Sequence, residues 1–303
     1  MRILLVGGFG FIGKHLIKYL NDVNDLIVLD EKSEKQDAAR FQWPKYPIVE
    51  IGNVTDGSRV KEVVLKYRPE VVIHLAALTG IKRCNDDPSL AFLVNVTGTL
   101  NVVTSCIECG CKLVFVSSRE VYGDTTSDST REDDPLVPNN IYGVTKMLAE
   151  KLVTWAGTRY NLDFTILRLT NVYGPGGDQY NVQAIVRKAL TEGRIEILGG
   201  KQTMDLVYVK DVAEVVRRCL VDQRASRQIF NVGSASSMSV EEIVREIVSC
   251  LGVPVKLDRR PMRMGETLSF RPSLKKLETT LGYRPSTTFR MGLQKTIEWY
   301  KKT

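Results

Sequence analysis

The stretch Arg2–Gly13, RILLVGGFGFIG, decides the fold of this chain. Its first part, Arg2–Val6, is a short apolar run that predicts a buried β-strand. The glycines after it lead into KHLIKYL, an amphipathic run that predicts a helix. Gly7 permits a tight turn, Gly10 lets a pyrophosphate approach the backbone, and Gly13 permits close packing of helix on strand. This order of elements predicts a dinucleotide site at the helix N-terminus.

An acidic residue at the end of the next predicted strand favours this interpretation over an ordinary glycine-rich loop. Asp30 ends the run LIVLD, 23 residues after Gly7. A carboxylate there accepts hydrogen bonds from an adenosine ribose and repels a 2′-phosphate, which favours NAD over NADP. Lys32 and Lys35 follow closely and leave NADP as an alternative.

Length and composition agree with one large α/β domain or two smaller ones. The chain has 303 residues, 43% of them hydrophobic, and can therefore bury a large core. We expect no apolar run of membrane-spanning length and no signal peptide, because the chain opens into a strand. The sequence therefore predicts a cytoplasmic enzyme without a membrane partner.

Neither the charges nor the cysteines indicate another kind of site. The net charge of +7 comes from 42 basic and 35 acidic residues without a long basic block, which argues against a nucleic-acid partner. The cluster Cys106, Cys109 and Cys111 has no fourth ligand at a spacing that would complete a metal site. We therefore expect free thiols and no metal, and we expect His74 to be a packed strand residue.

Predicted strands and helices alternate along the chain, which predicts a doubly wound, Rossmann-type α/β fold with a parallel sheet. The strands are predicted at 2–6, 26–29, 48–51, 71–75, 112–117 and 163–169, and the helices at 10–20, 58–67, 88–108 and 140–160. From about Tyr173 the elements become shorter and more polar. We predict an NAD-binding domain over 1–172, to which 205–234 returns with strands near 206–209 and 228–232. A smaller α/β lobe over 173–303 would contain helices at 239–251 and 289–302.

Tyr142 and Lys146, in YGVTK, can bring a phenol and an ammonium together over a redox cofactor. At i and i+4 of the predicted helix over 140–160, both side chains leave the same face. A phenol has a pKa near 10, and lowering it by about three units needs roughly 4 kcal/mol, which two close positive charges can supply. The spacing alone is also common on solvated helix faces, so the neighbouring motifs decide its meaning.

Motifs in order along nearly the whole chain show that it resembles the extended short-chain dehydrogenases/reductases, in the NAD-dependent nucleotide-sugar epimerase/dehydratase family. Besides the glycine loop and Asp30, the motifs are GNVTD at 52–56, HLAA at 74–77, NVTGTLNV at 95–102, VFVSSREVYGD at 114–124, YGVTK at 142–146, LRLTNVYGPG at 167–176 and DLVYVKDVAE at 205–214. The resemblance implies NAD as cofactor, a C-terminal lobe that binds the nucleotide sugar, and a homodimer.

The resemblance also implies roles for individual residues. Tyr142 is expected to remove a proton from a sugar hydroxyl as hydride passes to the nicotinamide. Lys146 would bind the nicotinamide ribose and lower the pKa of Tyr142, and Ser118 would bridge the substrate oxygen and the phenol. The implied cofactor contacts are Gly7, Phe9, Gly10, Phe11, Ile12, Gly13, Asp30, Asn53, Val54, Leu75, Ala76, Ala77, Asn95, Tyr142 and Lys146, and the implied substrate contacts are Thr79, Ser118, Asn171 and Arg263.

Two departures from the family pattern concern ligand binding. Asn53 replaces the Asp of GDVTD, which keeps a hydrogen-bonding group and loses a charge. Met204, in QTMDLV, replaces an Arg that usually faces the diphosphate. Either neighbouring cations supply the missing positive charge, with Arg187, Lys188 and Arg260 as candidates, or the substrate is atypical.

The reaction type depends on Arg119 and Glu120, which follow Ser118. The related 4,6-dehydratases carry an acid and then a base at these positions, because elimination needs both. Arg119 cannot be the acid, since a guanidinium does not release its proton at useful pH. Glu120 keeps the base position of a lyase, and its alternative role is that of a carboxylate paired with Arg119.

The leading hypothesis is an NAD-dependent 4-epimerase of the UDP-glucose/UDP-galactose type, because epimerisation needs neither Arg119 nor Glu120. A UDP-sugar is therefore the expected substrate. The second hypothesis is a lyase, either a UDP-glucuronate decarboxylase or a 4,6-dehydratase, with Glu120 as a catalytic residue. A net ketoreductase and an inactive NAD-binding regulator are further alternatives. The presence of Ser118, Tyr142 and Lys146 argues against the inactive regulator.

Overall fold

The computed structural model describes residues 1–21, 24–32, 37–125, 129–177, 181–262 and 268–302. Strands and helices alternate along the chain. The strands are β1 (Arg2–Val6), β2 (Asp25–Asp30), β3 (Ile48–Ile51), β4 (Val71–His74), β5 (Lys112–Ser118), β6 (Phe164–Leu169), β7 (Asn171–Tyr173), β8 (Arg194–Leu198), β9 (Thr203–Tyr208), β10 (Gln228–Val232), β11 (Ser237–Ser239) and β12 (Lys256–Arg260). The helices are α1 (Phe11–Leu20), α2 (Asp37–Phe41), α3 (Gly57–Tyr67), α4 (Ile81–Asp86), α5 (Pro88–Phe92), α6 (Gly98–Cys109), α7 (Ile141–Tyr160), α8 (Asn181–Glu192), α9 (Val209–Val221), α10 (Val240–Leu251), α11 (Lys275–Leu281) and α12 (Phe289–Lys302).

A seven-stranded parallel sheet forms the centre of the described structure. Its strands follow the order β10-β6-β5-β4-β1-β2-β3. Alternate residues of β1 serve two cores: Ile3 and Leu5 pack with α1 and α9, and Leu4 and Val6 pack with α3, α6 and α7. The predicted doubly wound Rossmann-type fold is confirmed. Its chain order reverses between β1 and β4, where the carboxyl ends of the strands leave a crevice for ligands.

The chain after β6 also builds a smaller lobe. It contains a three-stranded sheet in the order β11-β9-β7, a two-stranded sheet of β8 and β12, and a core with α8, α10 and α12. The strand predicted near 228–232 is β10, at the edge of the main sheet. The strand predicted near 206–209 belongs to β9, which pairs with β7 and β11 and not with the main sheet. The strand β9 is apolar because both of its faces are buried. Val207 packs on the main core, and Leu206 and Tyr208 pack in the smaller lobe.

The stretch 88–109 corrects another expectation. It comprises α5, a π-helical turn over Leu93–Thr97 and α6. Within its 22 residues, an 18-residue window has a mean hydropathy of 1.6, enough by length and composition to cross a membrane. The prediction that no apolar run reaches this length is therefore wrong. In the fold, 44% of this window is buried, and α6 packs against α3 and α7. Core helices of globular proteins pass the same test, so the absence of a membrane partner stays a prediction.

Candidate active site

The glycine-rich turn has the shape of a dinucleotide loop. Gly7 has a φ of +81°, and a Cβ there would lie 2.5 Å from the backbone nitrogen of Ala76. A Cβ on Gly13 would lie 2.3 Å from the carbonyl oxygen of Gly8, so α1 packs on the loop at backbone distance. A Cβ on Gly10 would meet only the Gly7 carbonyl oxygen, at 3.3 Å. The face of Gly10 is therefore the side from which a ligand can approach.

The N-terminus of α1 and the Asp30 carboxylate meet at this loop. No side chain caps α1 at Gly10, so the positive end of the helix is open to an anion. The Phe9 N–H donates to Asp30 Oδ2 over 2.9 Å, and burial raises the pKa of Asp30. Both carboxylate oxygens have further lone pairs for a ribose. The residues fit NAD, with the pyrophosphate at Gly10 and the adenosine ribose at Asp30.

The segment after β4 forms the opposite wall of this loop. The N–H groups of Leu75 and Ala76 both donate to the Val6 carbonyl, over 2.8 and 2.9 Å. Ala77 follows and is half-buried, as are its two predecessors. The structure therefore brings this predicted cofactor segment to the carboxyl ends of β1 and β4.

The other predicted cofactor contacts can act only in part through their side chains. The side chains of Phe9, Phe11 and Ile12 are packed against neighbouring apolar or aromatic groups, and the Phe9 N–H is used by Asp30. Val54 is buried and packs against Gly98. The amide oxygen of Asn53 accepts from the N–H and the hydroxyl of Thr55, over 3.0 and 2.9 Å, and the Asn53 side chain stays at the surface.

Asn95 is buried between the loop after β4 and the helix α7. Its amide oxygen accepts from the Leu78 N–H over 2.7 Å, and its amide nitrogen donates to the Leu78 carbonyl over 3.0 Å and to Thr145 Oγ1 over 2.9 Å. The residue is buried and its amide hydrogens are both used. Asn95 therefore ties the loop after β4 to α7, and its contact with the cofactor stays a prediction.

Three of the predicted catalytic residues, Ser118, Tyr142 and Lys146, lie on two elements that pack together, β5 and α7. The helix predicted over 140–160 is confirmed as α7, with the half-buried Tyr142 in its first turn and Lys146 one turn later. Ser118 ends β5, is nearly buried, and its Oγ accepts the Glu120 N–H over 3.2 Å. The Asn140 side chain caps α7 by accepting the Gly143 N–H over 2.8 Å.

Lys146 is buried at the carboxyl end of β5. Its Nζ donates to the Val116 carbonyl over 2.6 Å and lies 4.2 Å from the centre of the Phe115 ring. Burial lowers its pKa to about 7, and the Glu150 carboxylate partly opposes that decrease. The ammonium thus titrates near neutral pH, where an additional acceptor oxygen would favour its charged form.

His74 packs behind this lysine, and its predicted role as a packed strand residue is confirmed. It is 1% exposed, and its Nε2 lies 3.1 Å from Thr99 Oγ1. Burial and the charge of Lys146 lower the pKa of His74 to about 3, and burial lowers the pKa of His15 to about 4. Below pH 6.5 the unfolded chain therefore binds more protons at both histidines than the folded chain does.

We expect the free energy of unfolding to fall as the pH decreases from about 6.5 towards 4. His74→Phe should reduce this fall by about 2–3 kcal/mol at pH 4.5, because the phenyl ring does not titrate. Thr99 keeps its hydrogen bond to the Asn95 carbonyl in this variant. Urea unfolding at pH 6.5, 5.5 and 4.5 measures the effect, with His15→Phe as the companion variant. Identical pH profiles for wild type and His74→Phe would contradict the assignment.

A buried ionic network that the sequence did not predict holds α7 in place. Arg168 of β6 donates to both carboxylate oxygens of Glu150 of α7, over 2.8 to 3.2 Å. Ser117 Oγ donates to Glu150 Oε1 over 2.5 Å, and Arg168 Nη1 donates to the Tyr122 hydroxyl over 2.7 Å. The sequence does contain a signal for this network, which is the arginine inside the apolar strand FTILRL. A buried charge needs a buried partner of opposite charge.

The predicted substrate residues lie in separate parts of the site. Thr79 follows the cofactor wall and is half-buried. Asn171 begins β7, where its amide nitrogen donates to the Asp205 carbonyl over 3.2 Å. Arg263 lies outside the described residues. Met204 is half-buried in β9, and Arg260, one of the proposed compensating cations, lies 3.6 Å from Glu196 in an exposed ion pair.

Arg119 and Glu120 form a buried ion pair beside Ser118. Arg119 Nη2 lies 2.7 Å from Glu120 Oε1, and the Asn140 amide nitrogen donates to Glu120 Oε2 over 3.0 Å. A Cβ on Gly143 would lie 2.3 Å from the Glu120 carbonyl oxygen, so the first turn of α7 rests on this residue. The predicted catalytic base is therefore a carboxylate with a protein donor on each oxygen.

The cysteines of the described chain are free thiols. In the same residues, no group of three or more His, Cys, Asp or Glu side chains is arranged to hold a metal ion. Cys106 and Cys111 are buried, and Cys111 approaches the Cys106 carbonyl.

Comparison with known proteins shows the family of the chain. The sequence profile of the NAD dependent epimerase/dehydratase family matches residues 3–233. A UDP-glucose 4-epimerase of Mycolicibacterium smegmatis is 31% identical over 99% of both chains. A UDP-N-acetyl-alpha-D-glucosaminuronate decarboxylase of Bacillus cytotoxicus is 28% identical over 99% of this chain and 98% of its own length.

A solved structure shows the same fold. The UDP-glucose 4-epimerase of Thermus thermophilus in complex with NAD superposes with a TM-score of 0.91, at 28% identity and 99% coverage of both chains. The cofactor is NAD, in agreement with the prediction from Asp30. The chain is therefore a member of the NAD-dependent epimerase/dehydratase family, with the extended short-chain dehydrogenase/reductase fold.

Proposed function

We propose that the protein is a nucleotide-sugar 4-epimerase of the UDP-glucose/UDP-galactose type. The observation that carries this proposal is the buried Arg119–Glu120 pair. A guanidinium occupies the position of the acid that a dehydratase needs, and protein donors engage both oxygens of the carboxylate that would be the base. What remains is Ser118, Tyr142 and Lys146, which suffice for the proton transfer in the reversible oxidation of a hydroxyl when NAD accepts the hydride.

In the proposed reaction, the Tyr142 phenolate takes the proton of the sugar hydroxyl at carbon 4 and later returns it. NAD, when bound, supplies the acceptor and donor of hydride. The Ser118 hydroxyl holds the reacting oxygen beside the phenol. The positive charge of Lys146 favours the phenolate, and its burial strengthens that effect by excluding water. The keto sugar then rotates in the site, so that the hydride returns to its other face.

The UDP part of the substrate is proposed to bind against the lobe formed by 173–303. Asn171, at the start of β7, lies where the main sheet passes into that lobe. Met204 cannot supply a charge to the diphosphate. We therefore assign this role to Arg263, as the family resemblance implies.

A lyase is the second candidate, because the Bacillus cytotoxicus relative is named a decarboxylase. The two candidates differ in what Glu120→Gln does. If the protein is an epimerase, we expect kcat for UDP-glucose within about tenfold of wild type, since no step needs this carboxylate as a base. A lyase with Glu120 as its base should lose about 10²-fold or more. Initial rates on UDP-glucose and UDP-glucuronate measure both, and a large loss of turnover would favour the lyase.

A panel of substrates read by NMR tests the proposed function. The protein is incubated with UDP-glucose, UDP-N-acetylglucosamine and UDP-glucuronate, and the anomeric region of each product spectrum is recorded. We expect UDP-galactose from UDP-glucose, without loss of water or carbon dioxide. A 4-keto-6-deoxy sugar or a pentose as product would show that the protein is a lyase and not an epimerase.

We further propose that the protein is a homodimer formed by the face of 88–109 and α7. Leu93 and Leu100, two helical turns apart, are 46% and 37% exposed, and Trp155 of α7 is 47% exposed. Burying such groups against a second copy removes apolar surface from water.

Leu93→Glu is therefore expected to give a monomer in light scattering after size exclusion. The matched control is Val221→Glu, at an exposed apolar position on α9, where we expect the wild-type mass. A dimer that survives Leu93→Glu with unchanged stability would contradict this interface.

A further inference from the structure

A cavity of about 380 Å³ lies apart from the residues proposed for catalysis. Separate parts of the chain form its walls, and they come from the segment before α7, the turn between β10 and β11, and both ends of α11. The lining residues are Ser129, Ala235, Arg271, Pro272, Ser273, Leu274, Lys275, Glu278 and Arg284. None of them is a predicted cofactor or substrate contact. The volume is in the range of small-ligand sites, about 300–1,000 Å³.

One stretch of chain separates this cavity from the catalytic end of β5. Phe270 is 2% exposed and stacks on Tyr122, whereas the next residue, Arg271, is exposed and lines the cavity. Two backbone hydrogen bonds of 2.7 Å hold this stretch in place, from the Thr130 N–H to the Arg271 carbonyl and from the Ser273 N–H to the Thr130 carbonyl. The backbone therefore fixes the wall that carries Arg271.

The cavity is positively charged, because three cations and one carboxylate line it. Glu278 Oε1 lies 3.1 Å from Arg284 Nη1, and these two charges neutralise each other. Arg271 Nε donates to the Ala235 carbonyl over 3.2 Å, which orients the guanidinium without compensating its charge. Within the described parts of the chain, neither Arg271 nor Lys275 forms an ion pair. Two positive charges at this cavity are thus available to a ligand.

An anion with several acceptor oxygens suits this arrangement. A guanidinium and an ammonium are both common partners of phosphate oxygens, and the hydroxyls of Ser129 and Ser273 add two donors. A phosphate monoester carries about −1.5 to −2 charges at pH 7 and three acceptor oxygens, which matches the two cations. A single carboxylate would neutralise only one of them. The cavity is larger than a phosphate group, so an organic part fits beside the phosphate.

We propose that this cavity binds a small phosphorylated molecule, with the phosphate held between Arg271 and Lys275. The ligand is distinct from both NAD and the nucleotide sugar, since the lining residues belong to neither predicted site. The proposal is independent of the proposed function, because it uses none of the residues assigned to catalysis.

Calorimetric titration with inorganic phosphate tests the site. The NAD-containing protein is titrated at constant ionic strength with excess UDP, so that ligands fill the two other places at which a phosphate could bind. We expect saturable binding of about one phosphate per chain, the single proposed site. Arg271→Gln combined with Lys275→Gln should weaken this binding about 10²-fold, because two charge-assisted contacts are lost. Ribose 5-phosphate should bind about tenfold more tightly than phosphate, since its sugar adds contacts in the cavity.

Lys301→Gln is the matched control, because it removes an exposed positive charge at the end of α12. We expect it to bind phosphate like wild type. The thermal midpoint without phosphate shows that the variants are folded, and it should be unchanged because the substituted side chains are exposed. Saturable binding that persists in the double variant would overturn the proposal, as would its absence in wild type. An equal loss in Lys301→Gln would also overturn it, by showing attraction to net charge only.

Discussion

Replacing Tyr142 with phenylalanine is expected to lower kcat for the epimerisation of UDP-glucose by about 10³-fold, the size of effect expected for a general base. The variant loses the phenolic oxygen that takes the substrate proton. It keeps the ring that packs against the cluster of Leu78, Cys84 and Ala91, so the fold and the affinity for UDP-sugar should be preserved. Initial rates of UDP-galactose formation, with binding of UDP-glucose measured in parallel, test this expectation.

Tyr160→Phe is the matched control, because Tyr160 ends the same helix and is 49% exposed. We expect its kcat to equal that of wild type. A kcat of Tyr142→Phe within tenfold of the wild-type value would show that the mechanism does not use the phenol.

The largest effect on stability is expected from Glu150→Ala. This variant leaves Arg168 charged and buried without its carboxylate, which should lower the free energy of unfolding by about 3–5 kcal/mol. Removing both charges, in Glu150→Ala with Arg168→Leu, should restore part of the loss because no unpaired charge remains. Urea unfolding of the single and double variants measures both values.

The control for this experiment is Glu108→Ala. Glu108 and Lys61 form an ion pair in which both side chains are about half exposed. Such pairs contribute about 0–1 kcal/mol, so we expect a small change. Equal losses in Glu150→Ala and Glu108→Ala would show that the buried network does not hold α7.

The sequence was sufficient for the elements whose cause is local. The apolar run of β1, the glycine turn and the amphipathic α1 each follow from neighbouring residues, and the shared face of Tyr142 and Lys146 follows from the period of one helix. The sheet to which β9 belongs could not be predicted from the sequence, because an apolar strand with two buried faces is compatible with either sheet. The strand β12, with the polar sequence KLDRR, gave no periodic signal at all.

The elements that carry the site residues were predictable from the sequence. The hydrogen-bond partners of those residues were less so, because they depend on how separate elements pack together. Asp30 lies at the glycine loop and Lys146 at the carboxyl end of β5, and their contacts with NAD stay predictions. The hydrogen bonds of Asn95 could not be predicted, because an amide pairs with backbone groups as readily as with a cofactor, and only the fold shows that Leu78 and Thr145 take them. The hydrogen bond between Glu120 and Asn140 likewise depends on how α7 rests against the end of β5.

The most direct test of the central claim uses UDP-glucose that carries deuterium at carbon 4. The purified protein is incubated with this substrate in ordinary water, and the products are followed by NMR. The account predicts UDP-galactose up to an equilibrium mixture, with the deuterium still on carbon 4 and no loss of water or carbon dioxide. Exchange of the label with solvent, a dehydrated or decarboxylated product, or the absence of UDP-galactose would contradict it.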